Sequence, residues 1–437
     1  MIPPETFTRY AAMRVPRYTS YPTAPNFSAA VDGTEYRRWL RSLNGDSTVS
    51  VYIHIPFCRE MCWYCGCHTT VTRRQPPVSR YVDSLVREIR LVSSELRSRL
   101  KIGHLHWGGG SPTLLTPGDV KKIRAALAEA FQFDPLAENA VEIDPRTLTE
   151  PLAQAFGNAG VNRASLGVQS FDGVVQAAIN RIQSFATTAA TVDMLKSEGV
   201  SGINFDLIYG LPFQTVESCL DTMDQALKLQ PDRLSVFGYA HVPSFKPHQR
   251  KIDEAALPGP AERQRQAQAI ARTLTAAGYR QIGLDHFALR GDSLAIAAER
   301  GLLHRNFQGY TTDHCPDLIA FGASAIGRLP QGFVQNATKI PDYERRIGEG
   351  RLATVRGCPI NDEDSRRAAI IEQLMCNFRA HLGAVEAPVD GLEADGLIRR
   401  SGSWIEVTDE ARPLVRAVAA AFDTYLTQSE VRHVAAV

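Results

Sequence analysis

The feature that most limits the possible folds is a regular alternation of strand and helix patterns that starts near residue 47. Short apolar runs such as VSVYIHI, AVEIDP and INFDLIYGLP are each followed by a longer segment with helical periodicity. Six such strand–helix units fill about 230 residues. Parallel strands need a crossover connection, usually a helix, so this pattern predicts a parallel α/β sheet, either a barrel or an open doubly wound sheet.

The position of the candidate functional residues favours the barrel. They are predicted at or just after the C-terminal ends of the strands, where barrel enzymes carry their chemistry: Gly109, Gly110, Glu142, Gln169, Asp206 and Ala240. Six units would leave the barrel incomplete, and the lateral gap would admit a large substrate. The predicted fold is therefore an incomplete (β/α)6 TIM-like barrel.

Different patterns flank this core. Residues 1–45 form an arm whose segment RVPRYTSYPTAPNF contains three prolines and two tyrosines, and it is predicted to be extended and ordered. Residues 46–335 are assigned to the barrel and its extension. Residues 336–437 show a helix, a turn, a strand pair around Trp404 and a final helix, which predicts a mainly helical, winged-helix-like domain.

Charge and cysteine content exclude several classes of protein. The 437 residues include 48 Lys and Arg against 47 Asp and Glu, without the basic excess of a nucleic-acid or membrane-surface binder. No apolar run reaches the roughly 18 residues of a membrane span, and the N-terminus lacks a secretory signal, so a cytoplasmic location is expected. Four of the eight cysteines lie within residues 58–67, which indicates metal or redox chemistry rather than disulfides.

The cysteine cluster gives the sharpest functional prediction. Cys58, Cys62 and Cys65 are spaced C-x3-C-x2-C in a loop directly after the first strand. Three thiolates can each bind one iron of a 4Fe–4S cluster, which leaves the fourth iron without a thiolate from this trio. That iron can chelate the methionine end of S-adenosylmethionine (SAM), and an electron from the cluster then releases a 5′-deoxyadenosyl radical. One 4Fe–4S cluster and SAM are the predicted cofactors.

Spacing alone leaves two other interpretations open. Cys58, Cys62 and Cys65 could form a closed zinc site with His68. Cys67 could instead complete the ligand set of the iron cluster, which would make the protein a plain electron carrier. The barrel context disfavours zinc, because zinc knuckles rarely open a six-unit barrel.

The cysteine spacing at the start of a barrel matches the radical SAM superfamily, and further motifs resemble one family within it, the oxygen-independent coproporphyrinogen III oxidases. The similarity extends from about residue 14 to 426 and includes RYTSYPT, YIHIPFC, CWYCGC, HWGGGSPT, EIDPR, GVQSF, DLIYGLP and LHRNFQGYTT. Haem-chaperone-like relatives usually carry Phe at the position of Cys67 and lack LHRNFQGYTT. A haem-binding protein on the same barrel is therefore the disfavoured alternative.

The resemblance implies a set of site residues. Cys58, Cys62 and Cys65 would bind the cluster, and Cys67 would not. The positions that resemble the family's SAM contacts are Tyr52, Tyr64, Gly109, Gly110, Ser111, Glu142, Gln169, Arg181, Asp206, Ala240 and Ile326. The glycine loop reads GGGSP where GGGTP is usual, and Ser111 keeps the hydroxyl. Candidate substrate-binding residues are Arg17, Arg305 and Gln308.

The chemistry of these side chains agrees with such roles. Glu142 can accept hydrogen bonds from a ribose or an ammonium group, and Arg181 can pair with a carboxylate. Asp206 lies inside an apolar strand, where an unpartnered carboxylate is costly, so a ligand contact is expected. Gly109 and Gly110 allow a close approach of the backbone to a ligand.

The resemblance also implies the reaction. The radical would remove a hydrogen from the β-carbon of a propionate side chain, and loss of carbon dioxide and one electron would leave a vinyl group. Two rounds would convert coproporphyrinogen III to protoporphyrinogen IX and consume two SAM molecules. The expected partners are this substrate and a flavodoxin-like or ferredoxin-like one-electron reductant, with no nucleic acid or membrane, and a monomer is expected.

Overall fold

The computed structural model of the protein describes residues 2–426 and residue 436. These residues form two compact units that alternate along the chain. The first unit contains Met1–Phe27, Ala271–His314 and Ile360–Val437, and the second contains Ser28–Ile270 and Cys315–Pro359. The division of the sequence at residues 45 and 335 stays a prediction from pattern. Among the described residues, no helix has both the length and the apolar character of a membrane span.

The second unit contains the predicted strand–helix repeat. Its six parallel strands pair in chain order: β1 Thr48–Ile55, β2 Lys101–Gly109, β3 Gln132–Ile143, β4 Arg163–Gln169, β5 Gly202–Tyr209 and β6 Arg233–Gly238. The crossover helices are α1 Gln75–Ser93, α2 Pro117–Ala130, α3 Glu150–Asn158, α4 Phe185–Ser197 and α5 Val216–Lys228, and Pro260–Ala276 follows β6. The strands are mostly buried, as expected where helices cover a parallel sheet.

Local sequence explains where several crossover helices begin. The Thr116 side chain accepts from the backbone of Asp119 in a capping box at the start of α2, and Thr215 and Ser218 form the same motif at α5. Helix α1 begins with prolines in its first turn and buries one apolar stripe against the sheet. Helices α2 and α5 therefore each begin at a side-chain cap encoded in the local sequence.

A seventh parallel strand was not predicted. Strand β7, Asp317–Phe321, pairs with β1 on the side opposite β2, with Ile319 beside Val51. Three antiparallel strands continue the sheet: β8 Ile326–Leu329, β9 Gly332–Asn336 and β10 Thr354–Pro359. Within the described chain β10 and β6 do not pair, so the sheet of this unit is an open series. The incomplete barrel is thus confirmed, with an antiparallel extension on its β1 side.

Shorter elements complete the second unit. They are the helices Gly33–Ser42, Gly173–Ala178 and Ile340–Gly348, and the two-residue strands Phe57–Cys58 and Thr70–Val71.

The first unit combines the arm with the C-terminal region. After helix Pro4–Ala11, the arm buries Val15, Tyr18 and Tyr21 in this unit's core. The Tyr18 hydroxyl donates to Asp423 Oδ2 at 3.0 Å, and Arg416 Nε donates to the Pro16 carbonyl at 3.0 Å. The arm is therefore an ordered part of a core.

The C-terminal elements of this unit match the predicted mainly helical, winged-helix-like pattern. Strands Ile398–Ser401 and Trp404–Val407 form the pair around Trp404, and Arg379–His381 adds a third strand to their sheet. The accompanying helices are Asp362–Asn377, Asp390–Ala394 and Val415–Ala420. The middle segment of the unit adds the strand pairs Tyr279–Ile282 with His286–Leu289 and His304–Asn306 with Gly309–Thr311, together with helix Ser293–Glu299.

Candidate active site

The cysteine loop follows β1 and is closed by two very short strands. Phe57 and Cys58 pair with Thr70 and Val71, so the two ends of the loop lie side by side. Thr69 Oγ1 donates to Cys58 Sγ at 3.2 Å. The loop thus holds Cys58 at its base, and Cys62 and Cys65 lie farther along it.

The electrostatics of the loop favour a bound cation. The pKa of Cys58 is raised to about 12, mainly by burial and in part by the neighbouring Cys65 and Cys62. The pKa of Cys65 is lowered to about 7, mainly by a hydrogen bond with the Cys67 side chain. The backbone N–H of Cys67, whose nitrogen lies 3.4 Å from Cys65 Sγ, contributes to the same shift. A bound cation would favour the thiolate form of Cys58, which burial and the neighbouring cysteines disfavour.

Two arginines supply part of that charge beside Cys62. Arg181 Nη1 and Arg146 Nη2 lie 3.6 Å and 3.7 Å from Cys62 Sγ. Arg181 is buried, and its Nη2 also donates to the Gly167 carbonyl at 2.6 Å and to Asp144 at 3.3 Å. Burial alone would lower the pKa of Arg181, but Tyr64, Asp144 and Cys62 raise it overall. The guanidinium therefore stays charged and ties the cysteine loop to β4.

The glycine loop at the end of β2 is fixed by steric and hydrogen-bonding demands. Gly109 has a φ of +116°, and a Cβ there would lie 2.8 Å from the His54 ring. A Cβ at Gly110 would lie 2.6 Å from the Phe57 carbonyl oxygen. The Gly109 N–H donates to Glu142 Oε2 at 3.0 Å, which joins the ends of β2 and β3. Both glycines are required by packing.

A chain of aromatic side chains lies beside this loop. The Tyr52 hydroxyl donates to His54 Nδ1 at 2.9 Å, and His54 Nε2 donates to the His68 carbonyl at 3.1 Å. Burial lowers the pKa of His54 to about 4, so the ring is neutral near pH 7. His106 stacks on Tyr52 with centroids 5.8 Å apart, and its Nε2 lies 3.2 Å from Glu142 Oε1.

Sequence reasoning missed His54, His106, Asp144 and Arg146 at this site. The two histidines occur in YIHI and HLHW, where residues two apart in a strand point to the same face. Tyr52 and His54 are such a pair, so the strand period could have identified them.

The remaining predicted SAM positions are spread along the same strand ends. Asp206 on β5 accepts from Ser165 Oγ at 2.8 Å and from Asn204 Nδ2 at 2.9 Å, so its partners in this structure are protein groups. Gln169 ends β4 with a φ of +68° and is buried. Tyr64 and Ala240 are brought together by Gln249, whose Nε2 donates to their carbonyl oxygens at 2.9 Å and 3.4 Å.

Two further SAM positions lie apart from these contacts. Ser111 is buried, and its hydroxyl lies 2.5 Å from Thr113 Oγ1. Ile326 is the first residue of β8, in register with Gln335.

The candidate substrate residues belong to the first unit. The Arg305 guanidinium stacks on Tyr310, 4.4 Å from the ring centroid, and its buried Nε and Nη1 have no hydrogen-bond acceptor among the described residues. The pKa of Arg416 is lowered to about 10, mainly by burial and in part by the neighbouring Arg17 and Arg305. Burial would raise the pKa of Asp285, but interactions with His286 and these arginines lower it. Arg17, Arg305 and Arg416 therefore lie close enough to interact electrostatically, and Asp285 is a carboxylate beside Arg17 and Arg305.

Gln308 occupies the turn of the same hairpin. Its backbone N–H donates to Asn306 Oδ1 at 2.9 Å, and the turn joins strands His304–Asn306 and Gly309–Thr311.

Comparisons with known proteins decide the family. Residues 52–226 match the model of the radical SAM superfamily. The chain is 54% identical over 442 residues to an oxygen-independent coproporphyrinogen III oxidase of Bradyrhizobium diazoefficiens, with 98% of both chains covered. The chain belongs to the oxygen-independent coproporphyrinogen III oxidase family. A second member, from Pseudomonas aeruginosa, is 41% identical to this chain over 430 residues. The match covers 94% of this chain and 93% of that relative.

A solved structure supports membership of the oxygen-independent coproporphyrinogen III oxidase family. The coproporphyrinogen III oxidase of Escherichia coli, described as a radical SAM enzyme, has a TM-score of 0.88 and 37% identity to this chain. The match covers 94% of this chain and all of the other. These names favour the oxidase over the haem-binding alternative, and the chain is a radical SAM enzyme.

The cofactors of this oxygen-independent coproporphyrinogen III oxidase family member are SAM and a 4Fe–4S cluster, and the loop fits the cluster. A cubane takes one thiolate on each of three irons. Among the described residues, no three His, Cys, Asp or Glu side chains converge on a single-ion site. His68 Nε2 lies 2.6 Å from the Thr338 carbonyl oxygen, so this ring nitrogen is not available to a zinc ion.

Proposed function

We propose that this protein decarboxylates two propionate side chains of coproporphyrinogen III to vinyl groups, giving protoporphyrinogen IX without oxygen. One observation carries the proposal. A loop that carries three cysteines at C-x3-C-x2-C spacing, with two arginines beside Cys62, lies in the same unit as the Gly109–Glu142 contact, in a chain similar to named oxidases along nearly its whole length. The enzyme is proposed to be cytoplasmic and monomeric, without nucleic-acid or membrane partners, and to use a flavodoxin-like or ferredoxin-like reductant.

The residues of the chain bind and orient the cofactors. When bound, SAM and the reduced cluster supply a carbon radical that removes hydrogen from the substrate. Cys58, Cys62 and Cys65 hold the cluster through thiolates, and Arg181 positions Cys62 through its 3.6 Å contact. The positive charge of the buried Arg181 guanidinium favours the thiolate form of Cys62 in this partly buried loop.

A second group of residues is proposed to bind SAM. Glu142 holds the Gly109 amide and can accept a further bond from an ammonium or ribose hydroxyl. The full set of proposed contacts is Tyr52, Tyr64, Gly109, Gly110, Ser111, Glu142, Gln169, Arg181, Asp206, Ala240 and Ile326. Asp206 and Arg181 would act through side chains that Ser165, Asn204 and Asp144 already orient.

The substrate carboxylates are proposed to bind in the first unit. Arg305 presents two buried nitrogens, Nε and Nη1, whose N–H groups have no acceptor among the described residues, and a buried donor left unmatched costs about 1–3 kcal/mol. A propionate would supply both the missing acceptor and a negative charge beside Arg17 and Arg416. Gln308, in the turn three residues later, is proposed as a further polar contact.

The test is anaerobic turnover by the reconstituted protein. Wild-type protein is incubated with SAM, dithionite and coproporphyrinogen III, and the tetrapyrroles are analysed by mass spectrometry. We expect successive loss of two propionate carboxyl groups with production of 5′-deoxyadenosine. Cys58→Ser, Cys62→Ser and Cys65→Ser should abolish both the cluster and the products, because a hydroxyl is a poor iron ligand at neutral pH.

Cys67→Ser is the matched control, since Cys67 lies in the same loop but is not a proposed ligand. It should keep iron and sulfide near wild-type levels. Loss of the cluster in Cys67→Ser with retention in one of the other three variants would contradict the ligand assignment. A wild-type protein that carries its cluster, cleaves SAM and leaves coproporphyrinogen III unchanged would contradict the substrate.

A further inference from the structure

The three proposed ligand cysteines differ in the groups that lie on their sulfur atoms. Neutral donors reach Cys58 Sγ and Cys65 Sγ, a threonine hydroxyl at 3.2 Å and a backbone N–H at 3.4 Å. Cys62 Sγ instead accepts from the guanidinium groups of Arg181 and Arg146, at 3.6 Å and 3.7 Å. Positive charge is therefore concentrated at one of the three sulfur atoms.

The guanidinium of Arg146 is held in this position by Asp144. Asp144 Oδ1 accepts from Arg146 Nε at 2.9 Å, and Oδ2 accepts from Nη2 at 2.7 Å, so the carboxylate makes a two-point contact. The backbone N–H of Arg146 also donates to Oδ1, at 3.1 Å. The nitrogen that lies on Cys62 Sγ is thus one of the two that Asp144 fixes.

The same carboxylate also joins the second arginine to this group. Arg181 Nη2 donates to Asp144 Oδ1 at 3.3 Å, while its Nη1 lies on Cys62 Sγ. Two arginines and one aspartate leave a net charge of +1 beside Cys62. None of the side chains of Asp144, Arg146 and Arg181 is more than 20% exposed, so salt screens this charge only weakly.

We propose that Arg146, oriented by Asp144, raises the reduction potential of the iron–sulfur cluster that the cysteine loop holds. The inference rests on the proposed function, because it concerns the same cluster. Reduction adds negative charge, so hydrogen bonds and positive charge at a ligand sulfur favour the reduced form. The electron comes from the one-electron reductant of the proposed reaction, and no bond forms or breaks.

The contacts of Arg146 suit this role better than the binding of SAM. A carboxylate ligand is usually bound by two nitrogens of one guanidinium. In Arg146, Nε and Nη2 already make that contact with Asp144, and Nη2 also lies on Cys62 Sγ. Arg181 is a proposed SAM contact as well, so Arg146 is the arginine that separates the two effects.

The experiment compares Arg146→Gln with Arg163→Gln in protein reconstituted anaerobically and kept free of SAM. Arg163 is the matched control, because it pairs with Glu138 at 3.0 Å and its side chain is 16% exposed. It begins β4, whereas the cysteine loop follows the opposite, C-terminal end of the parallel strand β1. Iron and sulfide are determined first. The ratio of reduced to oxidised cluster is then measured by EPR at a series of fixed potentials, with dithionite as the reductant.

Arg146→Gln should lower the ratio of reduced to oxidised cluster at a fixed potential by about tenfold, which is a midpoint shift of about −59 mV for one electron. A neighbouring charge shifts the equilibrium of a charged group by about one to three powers of ten, and the smallest shift applies where the added electron is shared among several atoms. Arg146→Lys keeps the charge and should recover most of the ratio. Arg163→Gln should stay within about twofold of wild type, since its charge lies at the other strand end. SAM affinity, measured by equilibrium dialysis, should be unchanged in Arg146→Gln.

A measurement on the wild type does not depend on whether a variant takes up the cluster. Protein labelled with ¹⁵N-arginine is reduced with dithionite and compared with unlabelled protein by pulsed EPR. The guanidinium nitrogens on Cys62 Sγ should give a ¹⁵N coupling to the reduced cluster. Arg146→Lys should weaken this signal, because only Arg181 then contributes.

An unchanged potential in Arg146→Gln at full cluster content, or an equal shift in Arg163→Gln, would overturn the proposal. Absence of an arginine coupling in the labelled wild type would overturn it as well, including the case in which Arg146→Gln takes up no cluster. Weaker SAM binding at the wild-type potential would overturn it in favour of a ligand contact. Failure of the proposed function is separately visible, because the potentials would then follow the expected order while wild-type protein leaves coproporphyrinogen III unchanged.

Discussion

The glycine at the end of β2 carries two constraints at one residue. Its φ of +116° is unfavourable for a residue with a side chain. A Cβ at this position would lie only 2.8 Å from the His54 ring, so the absence of a side chain leaves room for that ring. Its N–H is the donor that orients Glu142. Backbone geometry, packing and the orientation of a proposed SAM contact therefore depend on the same position.

Gly109→Ala should weaken SAM binding by about tenfold or more and leave the iron content near normal. Strain at such a φ costs about 1–3 kcal/mol, and relief would move the amide away from Glu142. SAM affinity is measured by equilibrium dialysis. Gly173→Ala is the control, because a Cβ there meets no atom within 4 Å. Wild-type affinity in Gly109→Ala would show that this amide does not position Glu142 for SAM.

Arg305→Gln should raise the KM for coproporphyrinogen III by about 10- to 100-fold, because a charge-assisted hydrogen bond is worth about 1.5–3 kcal/mol. SAM binding in the absence of substrate should not change. Steady-state kinetics measure the effect, with Arg379→Gln as control, since that arginine also stacks on an aromatic ring, Trp404. An unchanged KM would remove Arg305 from the substrate site.

At the scale of elements, the repeated strands were predictable and the extension was not. The six strands of the repeat are apolar runs followed by long amphipathic helices, so periodicity identifies them. Strand β7 has five residues and no helix of the repeat before it, and its partner β1 lies far back in the sequence. Pairing at such a separation leaves no local pattern.

Helix α1 contains a charged residue that its amphipathic pattern does not explain. Glu88 is buried and accepts from the Gly322 N–H at 2.7 Å, from Asn336 at 2.6 Å and from the Tyr343 hydroxyl at 2.8 Å. These groups come from the turn after β7, from β9 and from helix Ile340–Gly348. One carboxyl group thus joins the antiparallel extension to the barrel helices.

Glu88 should make the stability of the protein depend on pH. Burial raises its pKa from 4.5 to about 7, so the folded chain keeps a proton that the unfolded chain has lost. This stabilisation is complete below pH 4.5 and is lost as the pH rises through 7. The free energy of unfolding should fall by about 2.5 kcal/mol between about pH 5 and 8 on this account.

Urea unfolding of the anaerobic apoprotein at the two pH values measures the change. Glu88→Gln should remove most of it, because glutamine does not titrate, whatever its effect on absolute stability. Glu150→Gln, at an exposed position, should behave like wild type. Equal pH dependence in wild type and Glu88→Gln would assign the effect to other groups.

At the scale of the whole molecule, the proposed ligand cysteines and the glycine loop follow from sequence motifs, because each is contained in a short segment. The contacts that assemble the site do not. Arg181 meets Cys62 across 119 positions, and Gln249 meets Tyr64 across 185. The two compact units are built from five separate segments, so no boundary in composition marks them.

This interleaving has a consequence for synthesis on the ribosome. Strand β1 emerges early, yet its partner β7 follows about 260 residues later, after a stretch that belongs to the other unit. Until then, one side of β1 presents unpaired backbone amides and carbonyls, the kind of edge that recruits other strands. At about 5–20 residues per second, this interval lasts on the order of 13–50 s. The nascent chain is therefore a natural client for a chaperone that shields strand edges until residue 321 has left the exit tunnel.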